Sequence, residues 1–335
     1  MASITYDKPF KTYEELIEIM EDRHIEIPDK EFAIQALANY SYYGIINGYK
    51  DTFLQVGGTD DFIPGTNFNE LYTLHILDTS LNNIIFKYII FLERALKSRL
   101  SYLVAQKYGV FTNPTDYRCD DSDYLFRKNY SNSNGKRSNI LRSIKERISL
   151  DNKNPMLQHY LKLKNHLPPW ILTTCIPYGL TIEWYNILRA EDKMNICNSF
   201  ISPGLFSDNK TKEFVRKVFD LTKEYRNKIA HGTRTFSMLS LPQLPKEQIL
   251  AFSFNSISES EYNQRMGQND TFAVILSLII MLSDQYLIAN LRNELYNTLS
   301  PYADVHFNQQ TVFKVFGFPE NLFDRIDKLI AQKFN

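Results

Sequence analysis

Glycine and proline are scarce in this sequence of 335 residues, which holds 12 glycines and 13 prolines. An all-β protein needs these residues at its many turns, so their scarcity disfavours that class and favours helices. The hydrophobic fraction is 44%, which is ample for a core, and the length allows one large domain or two small ones. We therefore expect an all-α fold.

Cysteine is also scarce. Cys119, Cys175 and Cys197 are odd in number and widely spaced, so they form neither a disulfide framework nor a metal-ligand spacing. The first residues show no basic region followed by an apolar run, and we expect no secretion signal. The longest apolar stretch, residues 272–282, is too short to cross a bilayer. We predict a cytoplasmic protein that needs no metal, cofactor or membrane.

The formal net charge is zero, because 38 Lys and Arg residues balance 38 Asp and Glu residues. A protein with zero net charge does not attract nucleic acid over its whole surface, so an RNA-handling function requires a local basic patch. The sequence also lacks a Gly-rich phosphate loop, an HExxH motif and a GxSxG motif. Nucleotide hydrolases, zinc proteases and serine hydrolases of those types therefore have no support.

One predicted helix ends in a group of residues whose side chains are suited to catalysis. The pattern of apolar residues predicts a helix that begins near Thr211 and ends at Gly232, with His231 in its last turn. The apolar positions that recur at helical spacing are Phe214, Val218, Leu221, Tyr225 and Ile229.

Arg226, Asn227 and His231 lie in the last turns of this predicted helix. Asn227 and His231 share one face, whereas Arg226 and His231 point about 140° apart on an ideal helix. Histidine transfers protons near neutral pH and arginine binds phosphate, so the group suits metal-independent RNA cleavage by the ribose 2′-hydroxyl. An alternative is a helix end where Arg226 and His231 only form local ion pairs and cap carbonyls.

The run Tyr225–His231 resembles the Arg-Asn-x-x-Ala-His signature of HEPN-type ribonucleases, and more narrowly the Abi-like abortive-infection proteins of the AbiD/AbiF group. Three further segments resemble motifs of that family in the same order, and together the four cover roughly residues 8 to 240. They are the Tyr-Tyr…Gly-Tyr element at 42–49, the Glu-Arg-Ala-Leu helix at 91–97 and the Pro-Trp…Tyr-Gly segment at 168–180.

The resemblance implies a HEPN-like helical bundle. We place its core at residues 69–240, an N-terminal appendage at 1–68 and a C-terminal helical extension at 241–335. It also implies a homodimer with one composite active site across a two-fold axis, which would bring Arg and His side chains together. A bound non-coding RNA that controls the activity is a further implication.

The resemblance assigns roles to five residues of this chain. His231 would be the general acid or base, Arg226 would stabilise the charge on the phosphorus centre, and Asn227 would position the phosphate or orient His231. Lys228 and Arg234 would bind flanking phosphates. The family often has a second His, where this chain has Gly232, so any proton transfer assigned to that residue is missing here.

Residues 127–147 form the clearest basic patch, where only Glu146 offsets the positive charges. We predict that this patch contacts RNA phosphates. The alternative is a solvated loop and helix face, which charge runs commonly are. The candidate side chains are Arg127, Lys128, Lys136, Arg137, Arg142 and Lys145.

Glu93 and Arg94 lie within residues 69–108, where the apolar spacing predicts either one long helix or two helices with a break. The two residues form either a charged pair on the surface or, as the resemblance implies, part of the active cleft. In the second case Arg94 holds Glu93 or touches RNA.

We also expect a tyrosine-rich loop at residues 41–68, Trp170 in the core, an irregular connection after Arg234 and a single helix at residues 270–299.

Two functions of other classes compete with the nuclease. A non-catalytic RNA-binding scaffold on the same fold agrees with the missing second His and with the zero net charge. A helical adaptor that binds only protein would carry no RNA through purification.

Overall fold

The computed structural model describes residues 7–55, 57, 60–117, 119–150, 154–234 and 241–334. Within these ranges the chain forms sixteen α-helices, and its only paired strands make one short hairpin. The predicted all-α class is confirmed. No helix in these ranges combines the length and the apolar character needed to cross a membrane.

Internal contacts divide the chain into two compact units. Unit 1 comprises the described parts of Met1–Ile84, Thr233–Ser237 and Asn293–Leu322. Unit 2 comprises those of Ile85–Gly232, Met238–Arg292 and Phe323–Asn335. These units interleave along the sequence, whereas the three predicted domains follow one another; the predicted boundaries stay a prediction.

The first two helices begin at capping residues. Thr12 and Glu15 form a capping box, with the Glu15 backbone N–H donating to Thr12 Oγ1 at 3.2 Å and the Thr12 N–H donating to the Glu15 carboxylate at 2.8 Å. Asp29 accepts a bond from the Phe32 N–H at 2.9 Å. Such caps satisfy backbone donors that a helix leaves unpaired. The two helices are α1, Tyr13–Asp22, and α2, Lys30–Tyr40.

The predicted loop at residues 41–68 is partly wrong, because it begins with helix α3, Tyr42–Tyr49. Ser41 starts this helix: its side chain accepts a bond from the Gly44 N–H at 3.1 Å. Ile45, Ile46 and Tyr49 are buried. Packing of this apolar side compensates for the low helix propensity of two glycines.

Helix α4, Phe68–Tyr108, is one unbroken helix of 41 residues. Of the two alternatives predicted from the apolar spacing, this is the single long helix. Its buried side chains continue along its length and include Leu74, Leu81, Ile85, Tyr88, Leu92, Leu96 and Leu100. The residues up to Ile84 belong to unit 1 and those from Ile85 belong to unit 2.

Unit 2 contains six further helices before the end of the predicted core. The prediction that Trp170 lies in the core is wrong, since this side chain is 47% exposed. It is the second residue of α7, whose Ile171 and Leu172 face inward instead, and Trp184 occupies the core. The helices are α5, Arg137–Leu150; α6, Pro155–Leu163; α7, Pro169–Cys175; α8, Tyr178–Asn186; α9, Ala190–Asn198; and α10, Asp208–Ala230.

The predicted irregular connection contains helices α11, Lys246–Phe252, and α12, Glu259–Asn263. The predicted single helix at 270–299 is two helices, α13, Thr271–Met281, and α14, Gln285–Leu299. Leu282 is extended between them. Every residue of α13 is buried, so its end is set by its surroundings and not by a local breaker such as proline.

The last part of the chain is short elements followed by one amphipathic helix. Strands β1, His306–Phe307, and β2, Gln310–Thr311, pair antiparallel with His306 opposite Thr311. Helix α15, Val312–Val315, follows directly, and α16, Leu322–Phe334, begins after Asn321 as predicted.

Lys333 on α16 closes the end of α13 within unit 2. Its ammonium group donates to the backbone carbonyls of Ile279 and Ile280 at 2.7 Å each and of Leu282 at 2.5 Å. The last carbonyls of a helix have no partner inside the helix, so a cation there satisfies acceptors that burial would otherwise leave unpaired.

We predict that Lys333→Met lowers the free energy of unfolding by about 1–3 kcal/mol, since it removes a charged donor and leaves buried carbonyls unsatisfied. Lys328→Met, at an exposed position of the same helix, is the control and should change stability by less than about 0.5 kcal/mol. Urea unfolding followed by circular dichroism measures both. Equal effects of the two substitutions would contradict this role for Lys333.

Candidate functional site

Helix α10 ends as the sequence predicts, although it begins at Asp208, three residues before Thr211. His231 is the C-cap residue, and its backbone N–H donates to the carbonyls of Asn227 and Lys228 at 3.2 and 3.1 Å. Gly232 has a φ of +77°, the left-handed conformation that glycine adopts without strain. The glycine therefore fixes where the helix stops and leaves His231 exposed at its end.

Arg226 is half-buried one turn before this end. Its guanidinium carbon lies 5.8 Å from the centroid of the Phe86 ring on α4, and Nη1 donates to Asn227 Oδ1 at 3.3 Å. Its Nε atom is buried and has no hydrogen-bond partner among the described residues. The aromatic face thus holds the guanidinium, and its buried Nε–H is left unsatisfied.

Arg226 and His231 do not form the local ion pairs of the alternative interpretation. In the part of the chain that the structure describes, no salt bridge joins either side chain to a carboxylate, and the two are not hydrogen-bonded to each other. Arg226 is half-buried against α4, whereas His231 is exposed. Their divergence on one helix agrees with the angle expected from their spacing.

A buried polar cluster lies beside Arg226 in unit 2. The Tyr178 hydroxyl on α8 lies 3.1 Å from Thr222 Oγ1 on α10, one turn before Arg226. Burial, followed by the charge of Glu93 on α4, raises the pKa of Tyr178 far above its ordinary value. Helices α4, α8 and α10 therefore converge here, one turn before Arg226.

Glu93 is buried and its Oε1 atom pairs with Lys97 Nζ at 2.8 Å, while Oε2 has no hydrogen-bond partner among the described residues. Arg94 is exposed. The pair at 93 and 94 is thus not a surface pair, and the residue that holds Glu93 is Lys97, four positions away, and not Arg94. An RNA contact by Arg94 stays a prediction.

Arg234 lies in unit 1 in a pocket formed by the Tyr-Tyr…Gly-Tyr element. Its guanidinium carbon is 5.5 and 5.9 Å from the ring centroids of Tyr49 and Tyr43, and Nη2 donates to the Tyr43 carbonyl at 3.4 Å. A Cβ atom at Gly48 would lie 2.6 Å from Arg234 Nε. Arg234 therefore packs closely on Gly48, and its side chain would have to move if this residue carried a Cβ atom.

The two tyrosines of this pocket differ in exposure. Tyr49 is buried, and its hydroxyl donates to Asp78 Oδ2 at 3.1 Å. Burial first, and then the Asp78 carboxylate, raise the pKa of Tyr49. Tyr49 therefore packs inside unit 1, whereas Tyr43 is 69% exposed. Phosphate binding by Arg234 stays a prediction.

The basic patch at 127–147 is mostly available to solvent. Arg127, Lys128, Lys136 and Arg142 are exposed. Arg137 is half-buried and donates to the Tyr130 carbonyl at 3.0 Å. A cavity of about 440 Å³ is lined by residues that include Arg127, Ser138 and Arg142. RNA binding by these residues stays a prediction.

Lys145 does not fit that prediction. Its side chain is 2% exposed, and its Nζ atom pairs with Asp123 Oδ2 at 2.9 Å. It also donates to the carbonyls of Asn113 and Asp116 at 3.0 and 2.6 Å. All three donors of the ammonium group are used, so none remains for a phosphate. Lys145 instead fixes the segment that contains Asn113, Asp116 and Asp123 to α5.

The structure contains a second group of cations that was not predicted from the sequence. Lys193, Lys212 and Arg216 line one pocket of unit 2. A signal for it was present in the sequence, because Lys212 and Arg216 are spaced one helical turn apart on the helix that carries Arg226. Among the described residues, no three His, Cys, Asp or Glu side chains are grouped so that they could hold a metal ion.

We predict that Lys145→Ala lowers the free energy of unfolding by about 3–5 kcal/mol, because it leaves the buried Asp123 carboxylate without its partner. Arg142→Ala, on the same helix and exposed, should change stability by less than about 0.5 kcal/mol. Chemical denaturation measures both values. A stability of the Lys145 variant equal to that of the Arg142 variant would contradict the structural role.

Comparison with known proteins gives one match. A family model described as Abi-like protein covers residues 35–237. This is more than half of the chain, and all four motifs lie inside it. No curated protein and no solved structure matches the sequence. The matched range contains the end of α10 and the tyrosine pocket of Arg234.

Proposed function

Because the chain belongs to the Abi-like protein family, we propose that it acts in abortive infection as a metal-independent endoribonuclease of the HEPN type. The observation that carries the proposal is the state of Arg226. Its guanidinium is half-buried, unpaired at Nε and one turn away from the exposed His231. A preorganised cation and a proton-transferring imidazole are the groups that phosphoryl transfer without a metal uses.

The reaction is a transfer within the RNA strand. The ribose 2′-oxygen attacks the adjacent phosphorus and loses its proton, while the bond from phosphorus to the 5′-oxygen breaks and that oxygen gains a proton. The products are a 2′,3′-cyclic phosphate and a free 5′-hydroxyl. Arg226 stabilises the negative charge that develops on phosphorus, and Asn227 positions the phosphate oxygens. His231 transfers one of the two protons.

Two proton transfers call for two titratable groups, and Gly232 stands where the family often has a second His. A homodimer supplies the second imidazole, because a second copy brings its own His231 to the Arg226 of the first. This arrangement also removes the difficulty that Arg226 and His231 diverge on one helix.

The remaining RNA contacts are electrostatic. An RNA strand held at Arg226 meets basic side chains that bind phosphates without reading the bases. The same surfaces would hold a regulatory non-coding RNA in the cytoplasm. The residues proposed for these contacts are Lys228, Arg234, Arg94, Arg127, Lys128, Lys136, Arg137 and Arg142.

A second candidate is a non-catalytic RNA-binding scaffold. Two observations favour it: Gly232 in place of the second His, and a formal net charge of zero. The scaffold predicts tight RNA binding without cleavage by any preparation.

We predict that His231→Ala and Arg226→Ala each lower the cleavage rate of labelled RNA by about a hundredfold or more, the usual loss when a general acid–base group or a charge stabiliser is removed. His159→Ala removes an exposed His away from α10 and should leave the rate unchanged. Cleavage should persist with a chelator and yield cyclic phosphate ends. Cleavage that His231→Ala leaves intact, or that the chelator abolishes, would contradict the mechanism.

We predict that the active species is a dimer. The specific activity should rise with protein concentration over the range where sedimentation velocity shows monomers becoming dimers, because each composite site needs two copies. A monomer with full specific activity would contradict the shared site.

A further inference from the structure

The pocket lined by Lys193, Lys212 and Arg216 belongs to unit 2 and has a volume of about 410 Å³. Its walls come from the loop before α5, from the end of α8, from α9 and from the first turns of α10. Hydroxyl and amide groups accompany the three cations. The polar lining residues besides these cations are Ser131, Ser133, Asn186, Asn209 and Glu213.

The positive charges of this pocket are not compensated. Among the described residues, no salt bridge joins Lys193, Lys212 or Arg216 to a carboxylate. Other lysines of α10 do have partners, since Lys210 pairs with Glu247 at 2.6 Å and Lys223 pairs with Glu224 at 3.0 Å. An anion would relieve the repulsion among three neighbouring cations.

The acidic groups near the pocket do not remove this excess. Glu213 is exposed, and its carboxylate accepts a hydrogen bond from Gln248 at 3.4 Å. Burial raises the pKa of Asp220, one turn after Arg216, despite the cations around it. Burial, and then the charges of Lys212 and Arg216, lower the pKa of Lys193. The pocket is therefore a site of concentrated positive charge.

The pocket and Arg226 lie on the same flank of α10, where the buried Phe219 separates Arg216 from Lys223. At 100° per residue, Lys212, Arg216, Lys223 and Arg226 fall within about 80° of one another around α10. The helix rise places Arg216 about 15 Å and Lys212 about 21 Å from Arg226 along the axis. Lys223 lies between them, above Gly179, where a Cβ atom would be 3.5 Å from its Cδ.

The chemistry of the pocket suits a phosphate and not a base. Its one aromatic wall residue, Tyr185, is buried, and its hydroxyl lies 3.2 Å from Cys197 Sγ. Its ring packs edge-on against Phe219 at 5.5 Å. No aromatic face is thus presented for a base to stack on. Cations with hydroxyl and amide groups bind the sugar–phosphate backbone instead.

We propose that this pocket binds a backbone phosphate of the RNA strand whose scissile phosphate lies at Arg226, several nucleotides away along the same side of α10. The proposal rests on the proposed function for the position of the scissile phosphate. It extends that function by assigning Lys193, Lys212 and Arg216 to substrate binding. It also predicts that long RNA strands bind with higher affinity than short ones.

The test compares two double variants with the same loss of charge on the same helix. Lys212→Gln with Arg216→Gln empties the pocket of two cations, and Lys210→Gln with Lys217→Gln removes two cations outside it. The probe is single-stranded RNA with 2′-O-methyl groups, which cannot be cleaved because it lacks the attacking hydroxyl. Fluorescence anisotropy measures the affinity for a dodecamer and for a dinucleotide at several salt concentrations.

We expect the pocket variant to bind the dodecamer about tenfold more weakly than the control variant and to have a smaller salt dependence. The slope of log K against log salt should fall by about 1.4, which corresponds to two lost contacts with single-stranded phosphates. The dinucleotide should bind the two variants equally. Thermal midpoints measured by circular dichroism check that both variants are folded.

Equal dodecamer affinity of the two variants overturns the proposal, and so does a wild-type protein that binds no RNA. Competition at equal concentration by a mononucleotide or by inorganic phosphate would assign the pocket to a small ligand and also overturn it. Failure of the proposed function gives a different result. If no RNA is cleaved but the two variants differ in affinity for the dodecamer, the pocket remains the RNA-binding site of a non-catalytic scaffold. If cleavage depends on His231 and the variants bind alike, only the pocket proposal fails.

Discussion

The burial of one side of α10 determines which charged groups of the helix reach solvent. Eight of its residues are buried, among them Phe214, Val218, Leu221 and Tyr225. Their packing fixes the rotation of the helix, and Arg226 consequently lies at the edge of the buried side, against Phe86. Lys212 and Arg216 lie on the same flank, at the level of a pocket.

The end of the same helix is fixed by backbone geometry. Gly232 adopts the left-handed conformation and stops the helix, so His231 stands at its C-cap. A residue with a Cβ atom would be strained at this φ. The glycine that replaces the family's second His thus has a structural role of its own, and it is one reason to expect the second proton-transferring group from a second copy of the chain.

Elements with strong local signals were predictable from the sequence. The capping box at Thr12, the cap at Asp29, the apolar spacing of α4 and the end of α10 at Gly232 each depend on residues close in sequence. Elements decided by distant contacts were not. Helix α3 forms because its buried side compensates for two glycines, and α13 ends where Lys333, from the end of the chain, binds its carbonyls.

The same distinction between local and distant contacts applies to the residues of the candidate site. Arg226, Asn227 and His231 were found because they lie within one short stretch. Lys145 was misassigned because its partners Asp123, Asn113 and Asp116 come from a loop whose position no local pattern shows. A count of charges identifies basic segments, but only the fold shows which charges are already paired.

Arg234 and the Tyr-Tyr…Gly-Tyr element, which both lie within the range of the Abi-like model, are in contact in unit 1. The Arg234 guanidinium packs on Tyr43 and Tyr49 and lies close to Gly48. Segments distant in sequence thus serve one pocket of unit 1. A separate set in unit 2, which includes Glu93, Tyr178 and Thr222, brings α4, α8 and α10 together one turn before Arg226.

The central claim is that Arg226 and His231, from two copies of the chain, meet one RNA phosphate. The most direct measurement is a crystal or cryo-EM structure of the protein with RNA that carries 2′-O-methyl groups. We predict a phosphate within hydrogen-bond distance of the Arg226 guanidinium and of the His231 imidazole of a second copy. A bound strand whose phosphates all lie away from Arg226, or a bound monomer, would contradict the account.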